Sequence, residues 1–193
     1  MSASQDLPIL SFASRAAWDA WLAEHHMSSK GLWLKIAKKG SGIDTVSYAE
    51  ALDVALCYGW IDGQKAAFDD GCWLQRFTPR RPRSKWSKVN CDRATELMRK
   101  GEMKPAGLQE VERAKADGRW DAAYQPQSMA EVPDDLQAAL DRDPKAREFF
   151  ATLDRANRYA ILYRIQDAKR PETRARRIDQ YVAMLSEGKK LHA

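Results

Sequence analysis

The sequence predicts an α+β protein that is mainly α-helical, with a small antiparallel sheet of about three strands packed with helices and a C-terminal helical subdomain. Two observations predict this class. Apolar residues recur at helical spacing over most of the chain, whereas only residues 32–79 combine strand-like alternation with a hairpin signal. With 193 residues, of which 44% are hydrophobic, the chain can bury one sizeable core or two small ones.

The N-terminal half begins with a helix, a strand and a second helix. Ser14 can cap a helix that carries an apolar stripe, and residues 32–38 alternate as a half-buried strand does. Ser47 and Glu50 then form a capping-box pattern, which predicts a helix that ends at Gly59.

The clearest hairpin signal lies between residues 60 and 77. Asp70 and Gly71 separate two runs of strand-forming residues there, and Asp-Gly can supply the two positive-φ positions of a type I′ turn. With the strand at 32–38, this hairpin predicts a three-stranded antiparallel sheet. Pro79 ends the second arm.

After the sheet the sequence predicts helices alone. Ser84 or Ser87 begins a helix that Gly101 closes, and another helix follows around 106–116. Farther along, three prolines stand where the first turns of helices would begin, because a missing N–H costs nothing there: Pro133, Pro144 and Pro171.

Residues 122–133 separate the two halves of the chain. This stretch contains two prolines and shows no periodicity, so we interpret it as a linker. The predicted domains are therefore an N-terminal α+β domain over residues 1–126 and a C-terminal helical subdomain over residues 127–193.

Composition and the N-terminal sequence argue against several classes of protein. No apolar run approaches the roughly 18 residues of a membrane span, so no transmembrane segment is expected. The first residues lack the basic region and the long apolar core of a secretory signal peptide, which predicts a cytoplasmic location. Three cysteines without a C-x-x-C pair are expected to be buried or inert thiols.

The reactive side chains predict no catalytic residue, no metal site and no cofactor. His25 and His26 are adjacent, so on a helix they point about 100° apart and cannot share a metal, and His192 lies in the last residues of the chain. Neither G-x-G-x-x-G nor G-x-x-x-x-G-K-[ST] occurs, so no phosphate-binding loop of those types is indicated.

One segment carries the whole basic excess of the chain. Residues 76–100 contain nine basic and two acidic residues, a net charge of +7, although the whole chain carries +5. Pro79 and Pro82 favour an extended backbone, so the nearby arginines are expected to project in several directions, which suits phosphate oxygens. Trp86 could stack on a base or a lipid headgroup. The candidate anion-binding residues are Arg76, Arg80, Arg81, Arg83, Lys85, Trp86 and Lys88.

A structural clasp is an alternative role for this segment. Its arginines could pair with acids elsewhere and tie the two halves of the chain together without binding any external ligand. The acids considered for this role are Asp69, Asp70, Asp134 and Asp135.

An enzyme is a further alternative. Asp62 lies among aromatic residues in YGWIDGQ and could line a pocket with Trp33, Trp60 and the arginines, a site for a small phosphorylated or acidic metabolite. A structural role for Asp62, accepting hydrogen bonds from nearby backbone N–H groups, is the simpler interpretation. Trp33 lies on the opposite strand face from Leu32 and Leu34, so a buried core does not account for it.

A second basic cluster lies on the last predicted helix. Its arginines recur at spacings of four and three residues, which places them on one flank beside the apolar stripe. The usual interpretation is a solvated face with local ion pairs, or arginine stems that pack across a helix interface. The residues of this secondary flank are Arg170, Arg174 and Arg177.

Several strings in the sequence resemble a known family. VPDDLQAALDRDPKAREFFATL and QDAKRPETRARRIDQYVAMLSEGKK, together with GWIDG and RFTPRR upstream, are similar to the family named YdeI/OmpD-associated, also called bacteriocin-protection proteins. The resemblance covers nearly the whole chain. It implies a bacterial protein linked to tolerance of bacteriocins or cationic antimicrobial peptides, and it implies no reaction. The family is often described as periplasmic, whereas this chain shows no export signal.

These observations lead to one main hypothesis. The protein is expected to be a non-enzymatic stress-tolerance protein whose basic surface binds an anionic ligand or nucleic acid. No particular protein partner is predicted.

Overall fold

The computed structural model describes residues 7–126 and 129–192. Within these residues it has eight helices and four strands, in the order β1, α1, β2, α2, β3, β4, α3, α4, α5, α6, α7, α8. They form two compact units, Met1–Ala123 and Tyr124–Ala193. The predicted α+β, mainly helical class is confirmed.

Two expectations concern residues that the structure does not describe. The predicted linker and the predicted boundary after residue 126 include residues 127 and 128, which lie outside the described residues. The expected lack of an export signal concerns in part residues 1–6, which lie outside them as well.

The first unit contains the sheet and four helices. The predicted N-caps are confirmed: Ser14 and Ser87 each accept a backbone N–H of the following turn, and Ser47 forms a complete capping box with Glu50. The elements are β1 Ile9–Leu10, α1 Arg15–His25, β2 Leu32–Ala37, α2 Tyr48–Cys57, β3 Trp60–Ala67, β4 Cys72–Pro79, α3 Lys88–Arg99 and α4 Pro105–Ala116.

The sheet has four strands in the order β1-β2-β4-β3, where three were expected. The predicted strands pair antiparallel as β2 with β4 and β4 with β3. The additional strand is β1, which has two residues and pairs parallel to β2, so the sheet is mixed. Two residues are too few to show an alternating pattern, and parallel pairing leaves no turn signal in the sequence.

The connection of the β3–β4 hairpin differs from the predicted type I′ turn. Gly71 does not have a positive φ, and neither does any non-glycine residue of the described chain, Asp70 included. Instead, Asp69 accepts hydrogen bonds from the N–H groups of Gly71 at 2.9 Å and Cys72 at 2.6 Å. The Asp69 side chain thus closes the turn, which removes the need for positive-φ residues.

The two faces of the sheet differ in what covers them. Leu32 and Leu34 on β2 and Phe77 on β4 are fully buried and belong to a core that includes residues of α1, α2, α3 and α4. Trp33 and Arg76 lie between these positions, are paired across the strands, and therefore lie on the opposite face. The predicted placement of Trp33 off the core face is confirmed.

The second unit is a small helical unit with its own core. Leu136, Leu140, Ile161, Ile165 and Leu185 are almost fully buried in it. Its helices are α5 Asp134–Asp141, α6 Pro144–Thr152, α7 Arg155–Gln166 and α8 Pro171–Ser186. Among the described residues, no helix of either unit is long and apolar enough to cross a membrane.

Candidate anion-binding site

The central part of the predicted cationic segment connects the end of β4 to the first residue of α3. We call residues 80–88 the basic loop. Its entry is fixed by a hydrogen bond from the N–H of Arg80 to the carbonyl of Gly59, at 3.0 Å. A tight turn follows, in which Arg81 N–H donates to Ser84 Oγ at 2.9 Å and Ser84 N–H donates to the Arg81 carbonyl at 2.9 Å.

Arg80 and Trp86 form the buried support of the basic loop. Cζ of Arg80 lies 3.5 Å from the centroid of the Trp86 ring, and the two residues are only 6% and 2% exposed. Nη1 of Arg80 also donates to the carbonyl of Lys85 at 3.2 Å. Trp86 also packs against Trp120, with ring centroids 4.9 Å apart. The expectation that Arg80 and Trp86 would lie on the surface is therefore wrong, because the guanidinium and the indole pack against each other in the interior.

A second arginine, for which the sequence held no signal, supports the same loop. Nη1 of Arg119 donates to the carbonyl of Ser84 at 2.8 Å, while its Nε binds Asp117 at 2.8 Å. Arg80 and Arg119 therefore bind adjacent carbonyl groups of the basic loop. Arg119 is 35 residues away from Ser84 in the chain, and no local pattern links the two.

The remaining cations of the basic loop point outward. Arg81, Arg83, Lys85 and Lys88 are exposed. In the described part of the chain, Arg81, Arg83 and Lys88 make no ion pair with an acid. Their charges consequently add to one another in a small region, which creates a positive potential there.

Cations farther along the segment are neutralised within the protein. Arg93 on α3 pairs with Asp53 on α2 at 2.6 Å. Arg99 and Lys100 both pair with Glu96, at 2.7 Å and 3.4 Å. The uncompensated positive charge is thus confined to the first part of the segment.

Arg76 precedes the basic loop and lies within β4. It is half-buried, and its Nη1 donates to Oε1 of Gln64 on β3 at 3.3 Å. It makes no ion pair with any described acid. Of the predicted anion-binding residues, Arg76 is therefore the one that belongs to the sheet surface.

Two of the acids considered for a clasp have other partners. Asp69 pairs with Lys35 at 3.3 Å. Asp135 binds Arg174 through both carboxylate oxygens, at 2.5 Å and 2.8 Å, within the second unit. Since Arg81, Arg83 and Lys88 have no acidic partner among the described residues, the clasp stays a prediction without an observed ion pair.

The secondary flank on α8 supports the second unit. Arg170 is exposed at the N-cap, whereas Nη1 of Arg174 donates to the carbonyl of Ile165 at 3.1 Å. Arg177 donates to the carbonyl of Arg164. Both carbonyls belong to the last turn of α7, where backbone acceptors lack partners within the helix. Arg174 and Arg177 therefore cap a neighbouring helix.

The three residues of the predicted pocket are not brought together. Trp33 lies on the sheet face opposite the main core, whereas Trp60 is buried and its Nε1 donates to the carbonyl of His26 at 3.1 Å. Asp62 accepts a hydrogen bond from the Tyr48 hydroxyl at 2.8 Å. A cavity of about 800 Å³ is lined by Trp60 and Arg80, but neither Trp33 nor Asp62 lines it.

The cysteines are buried, as expected. Burial raises the pKa of Cys57 to about 11, with a further contribution from Glu102, and burial likewise raises the pKa of Cys91 to about 11. Thiols with such pKa values are almost wholly protonated at neutral pH and react poorly. No group of three His, Cys, Asp or Glu side chains in the described residues could hold a metal ion.

Two protein families match different parts of the chain. The family described as "Domain of unknown function (DUF8412)" matches residues 10–110, slightly more than half of the chain, and the chain belongs to it. The family described as "Bacteriocin-protection, YdeI or OmpD-Associated" matches residues 129–188, which confirms the resemblance to that family in this part of the chain. The upstream strings GWIDG and RFTPRR fall within the range matched by the first family. No curated protein and no solved structure matches the chain.

Proposed function

We propose that this protein of the bacteriocin-protection type is a non-enzymatic stress-tolerance protein that binds the phosphates of nucleic acid through its basic loop. One observation carries the proposal: Arg81, Arg83 and Lys88 are exposed and have no acidic partner among the described residues. Guanidinium groups bind phosphate oxygens through two parallel hydrogen bonds, which makes arginine well suited to this ligand.

The support of the loop favours binding. Ordering a flexible loop on binding costs free energy, and a loop that is already held avoids most of this cost. Here the Arg80–Trp86 contact and the Arg119–Ser84 hydrogen bond hold the backbone from inside. When a ligand binds, the remaining entropic cost is therefore mainly that of ordering the exposed side chains themselves.

A cytoplasmic location is part of the proposal, since nucleic acid is available there. Binding of this kind would act on bacteriocin stress indirectly, through the cell's own nucleic acid. An interaction with the bacteriocin itself is not required.

Fluorescence anisotropy with a labelled single strand of about 12 nucleotides, within the range of known site sizes, tests the proposal. Wild-type protein should bind at low salt. Because each phosphate contact contributes about 0.7 to the slope of log K against log salt, three contacts predict a loss of roughly 20-fold between about 50 and 200 mM salt. A protein that fails to bind at low salt refutes the proposal.

Two triple variants separate a local from a general charge effect. R81A/R83A/K88A removes three of the four exposed cations of the basic loop and should abolish most of the binding. R142A/K169A/R176A removes the same number of charges from exposed positions in the second unit and should bind nearly as well as wild type. Equal losses in the two variants would contradict a role for the basic loop in particular.

A further inference from the structure

Trp33 is placed unlike the other tryptophans of the protein. On the sheet face opposite Leu32, Leu34 and Phe77, a cross-strand row is formed by Ile9 of β1, Trp33 of β2 and Arg76 of β4. Ile9 is 48% exposed, and Trp33 and Arg76 are half-buried. A large, half-buried aromatic ring thus lies beside a guanidinium group on this face, where Leu74 and Cys72 of β4 are buried.

Trp33 is also the one tryptophan that has no ring partner among the described residues. The other six each contact another aromatic ring, and three of them also carry a cation over the ring: Trp18, Trp21, Trp60, Trp73, Trp86 and Trp120. Both faces of an indole are usually covered when the ring serves a core. Contacts with other aromatic rings of the first unit therefore do not explain why a tryptophan stands at position 33.

The charge around Trp33 is positive. Among the strand residues on this face of the sheet, Arg76 and Lys35 are charged and none is acidic. Lys35 is paired with Asp69 of the adjacent turn at 3.3 Å, but Arg76 bonds only to the neutral Gln64. Nε of Arg76 is buried and has no hydrogen-bond partner in the described residues. No described acid therefore neutralises the charge of Arg76, and one of its hydrogen-bond donors is unused.

We propose that Trp33 is a stacking platform for an unpaired nucleobase and that Arg76 binds the phosphate beside that base. The inference rests on the proposed function, and it deepens it by naming single-stranded nucleic acid as the ligand. Every base has a flat π-face that can stack on an indole, and the base is free to do so only when it is not stacked inside a duplex.

The geometry connects this platform with the basic loop. Arg76 and Arg81 are five residues apart on the same strand and its continuation, which corresponds to at most about 17 Å at roughly 3.3 Å per residue. A single strand of a few nucleotides can span this distance. One strand can therefore place a base on Trp33 and phosphates on the exposed cations of the basic loop at the same time.

A polyanion without bases should not use Trp33. Inorganic polyphosphate offers the same charges to the basic loop but has no ring to stack, and duplex DNA keeps its bases inside. Comparing these two ligands with a single strand therefore isolates the contribution of the platform from that of the loop.

The test measures the affinities of single-stranded DNA, the corresponding duplex and inorganic polyphosphate for three variants of the full chain. Trp33→Leu keeps an apolar side chain but removes the π-face, Trp33→Phe restores a smaller ring, and Ile9→Ala is a control in the same row. We expect Trp33→Leu to lower single-strand affinity by about five-fold or more, the lower end for base–aromatic stacking. Trp33→Phe should recover part of the loss, and Ile9→Ala should change affinity by less than about two-fold.

The outcomes distinguish the platform from the loop. If Trp33→Leu binds the single strand as wild type does, or loses affinity for all three ligands equally, the platform is refuted while the basic loop retains its proposed function. A wild-type protein that binds the duplex as tightly as the single strand refutes the platform too. If nucleic acid does not bind at low salt at all, the proposed function and the inference fall together. Circular dichroism melting curves establish that each variant is folded.

Discussion

The buried contact between Arg80 and Trp86 can be measured with a double-mutant cycle of unfolding free energies. The guanidinium carbon lies 3.5 Å from the ring centroid, well inside the distance of about 6 Å at which a cation–π contact is effective. Because the two residues are only 6% and 2% exposed, the contact is desolvated and should contribute about 2 kcal/mol.

The single variants should each destabilise the first unit. Trp86→Ala removes a buried tryptophan and should cost about 3–5 kcal/mol. Arg80→Met keeps an unbranched apolar stem but loses the cation–π contact and the hydrogen bond to the Lys85 carbonyl, a bond from a charged donor that contributes about 1.5–3 kcal/mol. Relief from burying a charge offsets part of that loss.

The cycle yields the coupling between the two side chains. If the contact supports the basic loop as described, the double variant Arg80→Met/Trp86→Ala should be more stable than the sum of the single losses predicts, by about 1–2 kcal/mol. Urea unfolding followed by tryptophan fluorescence is a suitable assay, because all seven tryptophans lie in the first unit. Additivity within about 0.5 kcal/mol would refute the account of how the basic loop is held.

Three further predictions follow from the contacts. The Arg174 guanidinium holds the pKa of Asp135 below its usual value, so the Asp135–Arg174 pair should stabilise the folded state at neutral pH. This stabilisation should fade as the pH falls below about 4, where the carboxylate becomes protonated. Asp135→Asn should then lower stability by about 1 kcal/mol or less at pH 7 and less still at pH 3; an equal loss at both pH values in circular dichroism melts would contradict this. Iodoacetamide at pH 8 should leave Cys57 and Cys91 unlabelled in the folded protein and label them in urea, as mass spectrometry can establish, and rapid labelling of the native form would be inconsistent with their raised pKa values. Gly107→Ala should destabilise the first unit by more than about 2 kcal/mol, since a Cβ there would lie 2.2 Å from a backbone carbonyl oxygen. Gly101→Ala, which meets only backbone strain at φ +70°, should cost about 1–2 kcal/mol, and a larger loss here than at Gly107 in urea unfolding would contradict the packing of α4.

Elements with local signals were predictable from the sequence. The caps at Ser14, Ser47 and Ser87 depend on contacts with residues three positions away, so the sequence pattern contains all the participants. The position of Trp33 off the core face follows from alternation along one strand, which is likewise local.

Features that depend on distant or competing contacts were not predictable. Strand β1 is too short to show a pattern and is defined only by its pairing with β2. Asp-Gly predicted a type I′ turn, but the neighbouring Asp69 side chain closes the connection in another way. The burial of Arg80 requires a tryptophan six residues later to turn back over it, and the anchoring of the loop by Arg119 requires the fold of the whole first unit.

For the candidate site, the sequence showed where the positive charge is concentrated, but not which of these cations are buried or paired and which are exposed. It identified the segment whose cations exceed its acids, because charge can be counted residue by residue. Whether a given arginine is paired, buried or exposed depends on its neighbours in space. Arg93 and Arg81 illustrate the difference, since the first pairs with Asp53 and the second remains exposed.

The salt dependence of single-strand binding decides whether the basic loop binds phosphate. The dissociation constants of wild type and R81A/R83A/K88A should be measured over a series of salt concentrations and plotted on logarithmic axes. We predict that the slope for the variant is shallower by about 2, because three phosphate contacts are lost. Identical slopes for the two proteins would contradict the claim that the exposed cations of the basic loop bind phosphate.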